Sequence, residues 1–197
     1  MIKNNTKQKI LDYAIDLFKR KGYGSTSIED LRLETGISKG LMYYHFKNKE
    51  ELFVSCLKYD TLQHLNSWEK IHQSQASATE KLIMIADYLT EEDQSSLSFS
   101  IPQFIEESSK RSAEQRFTLK ELNEEIIIPE INVFNTIIED GINTGEFDDE
   151  LDVSEVSIML YSSLTSMSLM NHYLPDDTDI KSVVNNFMNR MITTMKT

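Results

Sequence analysis

Residues 36–46 read Gly-Ile-Ser-Lys-Gly-Leu-Met-Tyr-Tyr-His-Phe. Gly36 and Ile37 make a turn, Ser38 is a good N-cap, and about two helical turns follow before Lys47 and Asn48 open the next helix. A helix that short is unstable alone. Met42 and Phe46 lie one turn apart and would plug it into a small core, leaving Lys39, Gly40, Leu41, Tyr43 and Tyr44 around the remaining arc. A cation, a small residue and two phenols displayed on a short anchored helix suit the major groove of duplex DNA.

Upstream, Ile10, Ala14, Leu17 and Phe18 form an i, i+4, i+7, i+8 stripe on a scaffold helix that Gly22 stops. Lys3, Lys7 and Lys9 at its start either brush phosphates or belong to a frayed terminus. Thr26 and Glu29 fit a capping box opening a helix through Leu31 and Leu33 to Gly36, the support helix of a helix-turn-helix. Downstream, Asn48 and Glu51 fit a second box and start a long helix reaching about Gln73. Lys49 then opens that helix, where its charge opposes the macrodipole. Either a phosphate resolves the conflict or the lysine is simply solvated.

The 197 residues carry a net charge of −12, which taken alone disfavours nucleic acid. Its distribution reverses that inference. Residues 1–50 hold ten Lys/Arg against six Asp/Glu, so +4, and the remainder holds −16. An acidic body on a basic head is repelled from DNA except through the head.

The runs Thr26-Ser27-Ile28, Gly36-Ile37-Ser38-Lys39-Gly40, Tyr43-Tyr44-His45-Phe46 and Lys49-Glu50-Glu51-Leu52 resemble the signature of tetracycline-repressor-like (TetR family) bacterial regulators. The resemblance covers roughly residues 5–55; beyond about residue 60 only helix pattern and length agree. It implies an all-α chain of about nine helices: a three-helix DNA-binding domain over 1–48 and a ligand-binding and dimerisation domain over 49–197. It implies DNA contacts by Thr26, Ser27, Ser38, Lys39, Gly40, Leu41, Tyr43, Tyr44, His45 and Lys49. Arg32 and Thr35 stand where the family usually has alanines, a difference that either loosens the support helix or, at Arg32, adds a phosphate contact.

The rest of the chain also reads as helix. Ser77 and Glu80 cap a helix with Leu82, Ile85 and Leu89, and residues 93–104 read as a loop with Pro102 in a first helical turn. A helix over about 113–143 should kink or break at 126–130, around Pro129. Asp152 and Glu155 cap a serine-rich helix, and Asp176 to Asp179 cap a last one. On these two, Val156, Leu160, Leu164, Met167, Val184, Phe187, Met188 and Met191 are candidates for half of a four-helix bundle completed by a second copy. The alternative is that both stripes close the chain's own core.

Tyr59, His64, Trp68, Tyr88, Phe99, Phe104, Phe117, Phe134 and Tyr161 fall on helices that in the resembled family enclose an effector pocket; each is otherwise ordinary core. One cysteine, Cys56, forbids an internal disulfide. The absence of a leader or an apolar run near 18 residues makes the cytoplasm the default and disfavours a membrane. The four histidines show no metal spacing, and no Gly-rich phosphate loop or Gly-x-Ser-x-Gly occurs, so no enzyme, metal or cofactor is expected. The reading is a homodimeric repressor on a palindromic operator in double-stranded DNA, released by a small molecule. Its rival is a DNA-binding factor without a ligand switch.

Overall fold

The computed structural model describes residues 2–91, 97–110, 119–170, 173–175 and 177–196, and among them every regular element is helical. The chain packs as two units: residues 1–62 with 96–126, and residues 63–95 with 127–197. This differs from a division at 48/49, because Leu52, Phe53, Cys56 and Leu57 of the long helix complete the first core.

In the first unit, α1 (Ile2–Lys21) buries Ile10, Ala14, Leu17 and Phe18 and ends at Gly22, whose φ of 77° is in the left-handed region. Tyr23 then turns inward among Phe18, Phe53 and Phe104. The cap of α2 (Ile28–Thr35) lies one residue later than expected. Thr26 is buried, its hydroxyl donating to the Gly22 carbonyl at 2.8 Å, so Ser27 caps instead and forms the box with Asp30. Gly36 closes α2 at φ 67°. The two unusual residues of α2 now have roles: Thr35 donates to the Leu31 carbonyl and accepts the Ile37 N–H, securing the turn, while Arg32 pairs with Glu29 one turn back.

Ser38 caps α3 (Lys39–His45), and Met42 and Phe46 are buried as the two plugs. The side chain of Asn48 accepts the Glu51 N–H and starts α4 (Lys49–His72), but Glu51 reaches back to the Lys47 N–H rather than to Asn48. A 3₁₀ turn (Leu97–Ser100) leads into α6 (Ile101–Ser109), with Pro102 in its first turn. The single turn α7 (Leu119–Leu122) continues into a π segment (Asn123–Ile127). That segment is the form the expected break takes: Pro129 has no N–H to donate backward, and a widened turn absorbs the lost bond.

The second unit contains α5 (Ala78–Thr90), capped by the Ser77–Glu80 box, with α8 (Ile128–Asn143), α9 (Val153–Met170) and α10 (Ile180–Met195). Since the π segment runs directly into α8, α7 and α8 are one run, making nine helices among the described residues. Asp152 and Asp179 cap α9 and α10 through the Glu155 and Ser182 N–H groups. Their dimer candidates divide. Leu160, Leu164, Val184 and Met188 are fully buried in this unit's own core, whereas Val156, Met167, Phe187 and Met191 are half-buried. An apolar period does not say which face meets the chain's own core. On these two helices the apolar side chains turned outward are Ile158, Met159, Met170 and Val183.

Candidate functional site

The head presents α3 as a surface built for contact. Around the buried Met42 and Phe46, Lys39 and Gly40 are exposed, with Leu41, Tyr43 and Tyr44 39%, 46% and 64% exposed. A Cβ added at Gly40 would meet nothing within 4 Å, so this side of α3 is open to a close-approaching backbone. The Lys39 ammonium lies 5.9 Å from the Tyr43 ring centre, and the Tyr44 and His45 rings meet edge-on at 5.1 Å. Ser27 is exposed at the start of α2, and its hydrogen bonds hold the Asp30 carboxyl down at about 2. Exposed Lys7, 5.5 Å from the Phe46 ring centre, stands beside the end of α3.

Two expected DNA contacts fall away. Thr26 is interior, for the reason given above. Lys49 turns inward: its ammonium donates to the Tyr23 carbonyl at 2.9 Å, lies 4.0 Å from that ring's centre, and pairs with Glu107 at 3.5 Å. These partners answer its unfavourable place on the macrodipole without a phosphate. The exposed cation at this corner is Lys47, two residues earlier and outside the regular helix. Its position in the turn between α3 and α4 was the available signal.

Of the nine effector candidates, five converge in the second unit. His64, Trp68, Tyr88, Phe134 and Tyr161 form a chain of ring contacts with centroids 5.8–6.5 Å apart. Tyr59 and Phe104 pack in the first unit's core instead. Phe117 and the side chain of Phe99 lie outside the described residues. The sequence reading missed Glu130, buried at the centre: one carboxylate oxygen is 3.1 Å from His64 Nδ1 and the other accepts the Tyr161 hydroxyl at 2.8 Å. Its signal was a carboxylate standing in the apolar stripe Ile126, Phe134, Ile138. Burial, and then the nearby carboxylate, push the Tyr161 phenol well above its ordinary value, so it stays a donor. Two to three turns on, His72 Nε2 meets Asp140 at 3.0 Å, a second histidine–carboxylate link between α4 and α8. Among the described residues no cluster has the makings of a metal site, and no helix is long and apolar enough to cross a membrane.

Residues 10–56 match the model for bacterial regulatory proteins of the tetR family, and residues 60–197 match that for the C-terminal region of QacR-like proteins. The chain is 28% identical over 169 residues to the HTH-type transcriptional regulator QacR of Staphylococcus aureus, covering 85% of this chain and 87% of that one. It is 36% identical over 81 residues to the uncharacterized HTH-type transcriptional regulator YerO of Bacillus subtilis, a match spanning 28% of that protein. The crystal structure of FadR from Bacillus subtilis in complex with stearoyl-CoA shares the fold, with a TM-score of 0.73 at 21% identity over 94% of this chain and 97% of that one.

Proposed function

Because the chain belongs to the tetR family of bacterial regulatory proteins, we propose that it acts as a homodimeric repressor on a palindromic operator and is released by a small molecule. It is a DNA-binding transcriptional regulator. The observation that carries the reading is α3, a seven-residue helix seated on Met42 and Phe46 with its remaining arc exposed. In this proposal Lys39, Gly40, Leu41 and Tyr43 approach base edges, while Ser27, Ser38, Tyr44, His45 and Lys47 hold phosphates. DNA reading falls to residues 1–48, and ligand binding and dimerisation to 49–197. The protein works in the cytoplasm and needs no cofactor.

The ring cluster around Glu130 supports an effector site: apolar walls with a few polar groups are the usual form of one. That the similarly folded FadR was crystallised with stearoyl-CoA supports a partly apolar ligand. Selection of bound sequences from random duplex DNA tests the operator claim, and an enriched inverted repeat is the expected outcome. The rival, a factor without a switch, is tested by ligand affinity with and without operator. Coupling is reciprocal, so a releasing ligand binds more weakly in the presence of operator, and equal affinities would favour the rival.

A further inference from the structure

His64 and Trp68 lie one turn apart on α4, their rings 18° from parallel and 5.9 Å between centroids. Glu130 accepts from Tyr161 with one oxygen and faces His64 Nδ1 with the other. In the tautomer in which Nδ1 donates to the Glu130 carboxylate, Nε2 presents a lone pair. Trp68 Nε1 can only donate. Both His64 Nε2 and Trp68 Nε1 are buried and meet no hydrogen-bond partner among the described residues. A buried polar atom without a partner is rare enough to require a reason, and here two of opposite character stand side by side.

Resting on the ligand-release reading, we infer that this cluster takes an uncharged, largely apolar molecule through a hydroxyl group, which accepts from Trp68 Nε1 and donates to His64 Nε2. A hydroxyl is complementary to both nitrogens at once. A carbonyl or ether oxygen serves Trp68 and leaves Nε2 bare. A carboxylate does the same and adds a second negative charge near Glu130. A quaternary ammonium offers neither nitrogen a hydrogen bond. Tyr88 and Phe134, whose rings lie 6.5 and 5.8 Å from that of Trp68, surround the site with apolar surface.

Trp68 is the single tryptophan of the chain, so the protein has one indole N–H resonance and it reports on this site. The full-length protein is titrated with 1-decanol, decyl methyl ether, decanoate and decyltrimethylammonium, which share a ten-carbon chain and differ in head group. Proton–nitrogen spectra and dissociation constants are recorded, with operator binding followed by gel shift in the same samples. The expected result is that 1-decanol moves the indole N–H downfield and binds at least ten-fold tighter than the other three, a preference that Trp68→Phe abolishes. The wild-type spectra decide the matter even if that variant folds poorly. Tighter binding of the ammonium or the carboxylate, with operator released, overturns the hydroxyl inference and leaves ligand release standing. No binding and an unmoved indole N–H also overturn it. Operator held equally well while 1-decanol fills the cluster overturns the ligand-release reading instead.

Discussion

Lys47 and Lys49 differ in which way they face, and that decides what each does. Lys49 is 18% exposed and bonded to a carbonyl, a ring and a carboxylate of its own unit; Lys47 is exposed. Lys47→Ala should therefore weaken binding to every duplex about equally and flatten the dependence of log K on log salt by about one per subunit. Lys49→Ala should instead lower the melting temperature, at a cost of about 1–2 kcal/mol for a partly buried charge-assisted hydrogen bond. Gel shifts over a salt series and thermal melts separate the two, and a salt slope lost with Lys49 rather than Lys47 would restore the phosphate role to Lys49. Gly40 gives a cleaner test of the reading face. Since a side chain there meets nothing in the protein, Gly40→Leu should melt like the parent yet fail to bind operator. If it still binds, the backbone of α3 does not approach the bases closely.

Helices show where sequence reading succeeds and where it stops. Caps are local chemistry between residues three apart, so the starts of α5, α9 and α10 were legible, and α2 was misplaced by only one residue because Thr26 and Ser27 are both good caps. Asp30 records the true start. Ser27 holds its carboxyl at about 2 instead of 3.8, so the cap stabilises α2 above the unfolded value and is lost as pH falls from about 4 through 2. Ser27→Ala should bring the Asp30 titration, followed by NMR, back toward 3.8. Which long-range partners meet was not legible. The apolar stripe of α8 was visible, but that Glu130 would lie between His64 and Tyr161 depends on three helices converging. Glu130→Leu strands two buried donors and should cost about 2–4 kcal/mol, whereas Glu130→Gln, whose amide oxygen still accepts from one of them, should cost less. Equal losses in urea melts would mean that volume rather than hydrogen bonding matters at this position.

For the whole molecule the decisive quantities are charge and symmetry. A chain of net charge −12 whose first 50 residues carry +4 is attracted to DNA only through its head, and one such head covers only a half-site. Two-fold pairing supplies the second, with recognition helices about 34–36 Å apart to match one turn of DNA. The pairing surface cannot be the buried stripe of α9 and α10, because Leu160, Leu164, Val184 and Met188 are already used inside the subunit. The surface we expect to pair is the outward face, where Ile158, Met159 and Val183 are each nearly half exposed and the exposed Ser162, one turn after Ile158, leaves room for a close neighbour. A charge on that face should break the dimer without unfolding the subunit. Ile158→Glu is expected to keep the parent's helical circular dichroism, sediment as a monomer, and bind a single half-site as well as the full palindrome. Leu160→Glu, two residues on and facing inward, should instead unfold the protein. If Ile158→Glu sediments as a dimer and still prefers the palindrome, the subunits pair through some other surface.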